Sequence, residues 1–279
     1  MRLKDKIAII VGGGQQPGET IGNGRATAIR FAQEGATCLI VDINEAWAQG
    51  TLDAIEAEGG KGSIFVADIT DEAQCKAIAD TCVERYGRID ILHNNVGRSK
   101  GDAPTTELDE KVWDELLTLN TKGMFMTTKH VLPVMRNQGS GSIINISSTA
   151  SVCARPTLAY KTSKGAVNTL THHTAQENAK YGIRANVIIP GLIDTPMAIV
   201  RRAQERGVDP EIIRKERNEQ VPMGAMGTAW DVANAAVFLA SDLACYTVGV
   251  GLGAAGERLA DRARRPGCSG HRRPARPDT

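Results

Sequence analysis

Net charge is nearly absent from this chain. Its 279 residues carry 33 Lys and Arg against 32 Asp and Glu, a formal charge of +1. The body therefore has no electrostatic reason to seek nucleic acid or a membrane surface. No C-x-x-C pair occurs either: Cys38, Cys75, Cys82, Cys153, Cys245 and Cys268 are scattered. That excludes a short-range disulfide framework and reads as reduced, mostly buried thiols of a cytoplasmic protein. The five histidines (93, 130, 172, 173 and 271) lack ligand spacing, so no metal site is expected. No apolar run approaches the length of a membrane span. The first such run, Ile7 to Val11, is too short for the core of a signal peptide and runs straight into glycines. There is no internal repeat and no linker. What remains, 42% hydrophobic and 23% charged residues, is ordinary globular composition with material for one sizeable core.

The first 250 residues alternate short β-branched runs with longer amphipathic stretches. Strands are predicted over 6–11, 37–41, 63–67, 89–93, 142–146 and 184–189. Several are continuous apolar runs such as Ile7-Ala8-Ile9-Ile10-Val11, the mark of strands buried on both faces. Helices are predicted over 25–34, 45–58, 71–86, 108–136 and 158–180, where apolar residues recur at helical spacing. This alternation implies an α/β fold, a doubly wound parallel sheet in three α/β/α layers forming a single domain.

Within that frame, Tyr160-Lys161-Thr162-Ser163-Lys164 places a phenol and an ammonium one helical turn apart. The ammonium favours the phenolate and lowers the phenol pKa from roughly 10 towards neutrality. Tyr160 is thereby a candidate general acid/base for a carbinol oxygen. The first strand ends in Val11-Gly12-Gly13-Gly14 and the next helix opens with Gly22-Asn23-Gly24. Glycines at a strand-to-helix turn let the backbone approach a pyrophosphate at the helix N-terminus. Asp42 closes the second strand, where a carboxylate hydrogen-bonds adenosine ribose hydroxyls and repels a 2′-phosphate. NAD is therefore expected over NADP. Trp47, Trp113 and Trp230 read as packing residues.

In this order and spacing the residues resemble the short-chain dehydrogenase/reductase superfamily, from about residue 3 to 249. The glycine motif is Gly12…Gly22-Asn23-Gly24, and the adenine-site acid is Asp68 in Val66-Ala67-Asp68-Ile69. The strand-four motif is Asn94-Asn95-Val96-Gly97, and the helix asparagine is Asn120. A serine falls in Asn145-Ile146-Ser147-Ser148, ahead of Tyr160 and Lys164. Pro190-Gly191 follows the sixth strand and leads to Ile193 and Thr195, the latter matching a nicotinamide contact. The resemblance implies a catalytic set of Asn120, Ser148, Tyr160 and Lys164. It also implies a cofactor cradle that adds Ile43, Ile69, Asn95 and Gly97 to the glycines, Asp42 and Asp68. The serine would orient the substrate oxygen, Lys164 would also bond the nicotinamide ribose, and Asn120 would hold a proton-relaying water. The partners implied are a small alcohol or ketone and further copies of the chain, as a homodimer or homotetramer.

Three features depart from the family pattern. Gln15-Gln16-Pro17-Gly18-Glu19-Thr20 lengthens the phosphate loop. Ser147 has the commoner spacing to Tyr160, but the strand-anchored S-S-x-A pattern selects Ser148. After Gly249 the chain has no Ile, no aromatic residue and one Val, and it turns rich in Arg, Ala, Gly and Pro as if the reading frame had shifted. Residues 250–279 are accordingly expected to be a disordered tail that leaves one sheet edge unpaired. The expected activity is NAD-dependent interconversion of a secondary alcohol and a ketone, with pocket walls at 98–106, 153–158 and a lid-like 192–220. Two rival readings are a non-catalytic dinucleotide sensor and nucleic-acid binding through the basic tail.

Overall fold

The computed structural model describes residues 1–153 and 157–256. The expected tail from 257 onward and the pocket-wall residue Arg155 lie outside the described residues. A parallel sheet runs through the centre in the order β3-β2-β1-β4-β5-β6-β9. Its strands are β1 (Ile7–Val11), β2 (Thr37–Asp42), β3 (Lys61–Val66), β4 (Ile91–Asn94), β5 (Gly141–Ile146), β6 (Ile183–Pro190) and β9 (Gly251–Ala254). Alternate strand residues feed opposite cores. Ile10, Ile40, Ile91, Ile144 and Ile188 face one helical layer, while Ile9, Leu39, Leu92 and Ile143 face the other. Burial on both faces is why these strands read as unbroken apolar runs rather than alternating ones.

The covering helices are α1 (Asn23–Gln33), α2 (Glu45–Ala57), α3 (Glu72–Tyr86), α4 (Glu110–Leu117), α5 (Gly123–Gln138), α6 (Leu158–Asn178) and α9 (Ala229–Ala240). Their ends follow local chemistry. Asp71 caps α3 by accepting from the Ala73 and Gln74 amides, and Gly87 ends it in the left-handed region. The single helix expected over 108–136 is in fact two, joined by a π turn at Thr118–Lys122. An apolar pattern cannot register one extra residue in a turn, so the sequence gives no sign of that break. The lid-like segment holds α7 (Pro196–Arg206) and α8 (Pro210–Asn218), with the short paired strands β7 (Ile193–Asp194) before them and β8 (Gly227–Thr228) after them.

The expectation of a tail beginning at residue 250 is overturned by β9. It pairs in parallel with β6, matching Val187 to Gly251, Ile188 to Leu252, Ile189 to Gly253 and Pro190 to Ala254. The missing β-branched run matters less than composition suggests, because a ladder is built from backbone groups that any residue carries. Gly249 N donates to Ala185 O, Val187 N to Val250 O and Gly191 N to Ala254 O, each at 2.9 Å. Leu252 and Ala254 pack on the core that Ile188 shares. A chain ending at Gly249 is therefore expected to melt about 4–8 °C below one ending at Gly256, equivalent to ~2 kcal/mol. Equal melting temperatures in calorimetry would return the strand to the status of an ornament.

Candidate active site

The sheet order reverses between β1 and β4, and a cleft of about 1480 Å³ opens at the C-terminal ends of the strands there. Such a switch point is where open α/β sheets bind their ligands. Gly12, Gly22, Asn23, Gly24, Asp42, Ile43, Asp68, Ile69, Asn95, Gly97, Ser148, Tyr160, Lys164, Ile193 and Thr195 all line this one cleft. Sequence positions spread over more than 180 residues are thus gathered into a single wall. Asn120 is the exception and lies behind it.

At the cofactor end, Gly12 adopts φ +74, which an L side chain rarely adopts, and a Cβ on Gly24 would lie 1.9 Å from Gly12 O. The turn and the helix therefore touch backbone to backbone, leaving a cradle only glycine permits. Asn95 Nδ2 donates to Gly12 O at 3.2 Å and ties β4 to that turn. The lengthened loop folds around Gln15, whose Nε2 donates to Thr20 O at 3.1 Å and whose Oε1 accepts from Gly22 N at 2.7 Å. Asp42 accepts from Gly14 N at 3.0 Å and Asn44 N at 3.1 Å, while burial raises its pKa against those bonds. Asp68 is turned locally, accepting from both the amide and the hydroxyl of Thr70 at 2.8 Å. Trp47 also lines the cleft beside Asp42. The Asn23 Oδ1 is buried with no protein partner at the helix N-terminus. Cradle, carboxylate and open amides fit an adenine dinucleotide.

The reacting end is built on α6. Lys164 is 2% exposed; its Nζ donates to Ile146 O at 2.8 Å and sits 5.9 Å from the centroid of the half-buried Tyr160 ring. A Cβ on Gly97 would come within 2.8 Å of that Nζ, so Gly97 is what lets the amine reach the cleft. Burial pushes the Lys164 pKa down to about 7. The two serines divide. Ser147 is buried and its hydroxyl donates to Lys164 O at 2.9 Å, whereas Ser148 Oγ accepts from Ala150 N at 3.1 Å. The Ser148 hydroxyl proton has no acceptor among the described residues, which suits a group that donates to a substrate oxygen.

Asn120 lies in the π turn, fully buried. Its Oδ1 accepts from Arg98 N at 2.8 Å, and its Nδ2 donates to Arg98 O at 2.9 Å and Ser163 Oγ at 3.0 Å. Its amide is thus committed to fixing the loop after β4 against α6. Asn94 is likewise internal. Thr127, Asn94, Asn145 and Thr171 form a buried chain of side-chain hydrogen bonds from α5 through β4 and β5 to α6, each link 2.9 Å.

Asp102 is the residue that sequence reading missed. The local N-cap of α6, Thr157, makes no side-chain capping bond. Asp102, from the loop after β4, caps the helix instead: it accepts from Ala159 N at 3.0 Å and Tyr160 N at 2.8 Å. A cap supplied from 57 positions away leaves no local pattern to find. Asp102→Ala is expected to lower kcat about tenfold or more by loosening Tyr160 while changing cofactor Kd less. Asp102→Asn keeps one of the two acceptor oxygens and should restore only part of the rate, whereas Asp102→Glu, which keeps both, tests the cap with the charge in place. A lowered melting temperature with unchanged kcat would reduce Asp102 to a stabilising cap.

A family model described as enoyl-(acyl carrier protein) reductase matches residues 19–254. The chain is 37% identical to a 3-oxoacyl-[acyl-carrier-protein] reductase of Thermotoga maritima over 258 residues, 91% of this chain and 97% of the relative. The crystal structure of levodione reductase superposes with a TM-score of 0.87 at 33% identity, covering 93% of this chain and all of that one. That of NAD+-bound xylitol dehydrogenase gives 0.84 at 30% identity, covering 92% and 100%. The likeness covers nearly the whole chain, 91% to 93% of it in these relatives, and the chain belongs to the short-chain dehydrogenase/reductase family, oxidoreductases that work with a nicotinamide dinucleotide.

Proposed function

We propose that the chain is an NAD-dependent oxidoreductase that interconverts a secondary alcohol and a ketone. The reading rests on one juxtaposition: Ser148, Tyr160 and Lys164 share a cleft with the Gly12 turn and Asp42. The cofactor supplies the acceptor or donor of hydride at the carbinol carbon. Everything else falls to side chains. Ser148 donates a hydrogen bond to the substrate oxygen and holds charge that develops there. Tyr160 takes the carbinol proton as the ketone forms, or returns it in reduction. Lys164 favours the phenolate by its proximity and presents its amine to the ribose side of the cleft. Asp42 faces the position of the adenosine ribose, where its charge opposes a 2′-phosphate.

A panel of secondary alcohols and ketones with NAD(H) and NADP(H), followed at the nicotinamide absorbance, tests the proposal. Turnover is expected with at least one pair, with NAD preferred. Asp42→Ser should raise NADP use relative to NAD about tenfold or more, since a like-charge contact is removed. Wild-type protein that binds NADP as tightly as NAD would defeat the reading of Asp42. Tight cofactor binding without any turnover would favour the sensor reading.

A further inference from the structure

The charged residues that the lid turns towards the cleft are all of one sign. Between 192 and 220 the cleft-lining charges are Arg201, Arg202 and Arg217. The carboxylates of the same stretch, Asp194, Glu205, Asp209, Glu211, Glu216 and Glu219, are all off the lining. Across the cleft, the loop after β4 adds Arg98, Ser99 and Lys100. That loop's own acid, Asp102, is withdrawn into the cap of α6.

Arg201 and Arg202 stand out within this set. Arg98 is neutralised by Glu115 at 2.9 Å, and Arg217 packs its Nε on Met226 Sδ at 3.2 Å. Arg201 Nη2 donates to Ser99 Oγ at 3.2 Å, bridging lid and loop over the cleft, while its Nε is buried with no hydrogen-bond acceptor. Glu205, one turn on, forms an ion pair with that Nε at 3.7 Å, too long for a hydrogen bond. Arg202, at the cleft rim, makes no ion pair among the described residues. Arg202 and Tyr160 line the same cleft. Two neighbouring guanidiniums at the cleft, one with an Nε that lacks a hydrogen-bond acceptor among the described residues and one without an ion pair among them, are complementary to a planar oxyanion. Of the acids that do line the cleft, Asp42 and Asp68 lie at the cofactor end, Glu115 is spent on Arg98, and Asp109, Glu110 and Asp114 lie at and along α4.

Resting on the oxidoreductase reading above, we propose that the substrate is a hydroxy or oxo acid whose carboxylate is held by Arg201 and Arg202 while its carbinol carbon faces Tyr160. The acid group fixes the distance from anchor to reacting carbon. Substrates are thereby sorted by chain length between carboxylate and carbinol as well as by charge.

Matched pairs of secondary alcohols test this, each a hydroxy acid and its methyl ester on the same carbon skeleton. The wild type is expected to favour the acid by about tenfold or more in kcat/KM, as a charge-assisted pair warrants. Arg201→Met and Arg202→Met should erase that preference mainly through KM of the acid, and Arg202→Lys should retain part of it. Equal use of acid and ester by the wild type overturns the proposal. So does an increase in KM for NAD that exceeds the increase for the acid, which would assign the arginines to cofactor phosphate. Titration calorimetry with glutarate in the presence of NAD is read separately: binding should weaken about tenfold in the Arg→Met variants. If no alcohol is turned over, the oxidoreductase reading falls; glutarate binding that ignores both arginines defeats the anion site itself.

Discussion

Replacing Tyr160 with Phe is expected to cut kcat by ~10²–10⁴-fold, the usual worth of a positioned acid/base, with the cofactor Kd nearly unchanged. The ring still packs against the cleft wall, and the Gly12 turn, Asp42 and Lys164, proposed to serve the cofactor, are untouched. Only the hydroxyl proposed to exchange a proton with the carbinol oxygen is removed. Stopped-flow or steady-state rates, set beside cofactor titration by fluorescence, separate the two quantities. A variant that keeps more than about a tenth of kcat would take the proton transfer away from Tyr160. Ser148→Ala, by contrast, leaves the acid/base in place and removes one donor to the substrate oxygen.

Replacing Lys164 with Met is expected to cost rate and cofactor affinity together, yet to raise stability. The amine is fully enclosed, with Ile146 O and, at 3.5 Å, Val96 O as acceptors and no carboxylate beside it. Its pKa falls from an ordinary 10.5 to about 7 on folding. A depressed lysine pKa means the unfolded chain binds the proton more tightly. The resulting penalty is fully present below about pH 7 and is relieved as pH climbs towards 10.5. At neutral pH that penalty is on the order of 4–5 kcal/mol. Methionine matches the volume and escapes it, but strands the Ile146 carbonyl at a cost of ~1–3 kcal/mol. The desolvation relief is the larger quantity near pH 7, so the melting temperature should rise there, and the gain should shrink and then reverse as pH climbs towards 10.5, where only the stranded carbonyl's cost remains. A variant less stable than wild type at pH 7 would show that the amine's hydrogen bonds outweigh its desolvation.

The parts of this molecule that the sequence made legible are those whose signal is local. Continuous apolar strands announced a sheet buried on both faces, and six of its seven strands fell where the β-branched runs lie. Tyr160 and Lys164 are separated by one turn, so helical spacing alone paired them. Four features were not legible. The π turn at Thr118–Lys122 adds no chemical marker to an amphipathic pattern. Strand β9 has glycine at two of four positions and is recruited by backbone pairing with β6, which composition does not report. Asp102 acts through amides on another element, and Asn120 spends its amide on Arg98 and Ser163 rather than on the cleft. The first kind of information is periodic and short-range; the second exists only after the chain has folded.

The Asp102 cap also bears on how such a protein can diversify. The loop that carries Arg98, Ser99 and Lys100 to the cleft also holds the first turn of α6, and with it Tyr160, in place. Drift in that loop is therefore not free to explore new substrates independently of turnover. Any lineage that lengthens or shortens it must keep a carboxylate aimed at the Ala159 and Tyr160 amides, or else grow a local cap at Thr157. Substrate range and catalytic power are inherited here as one trait.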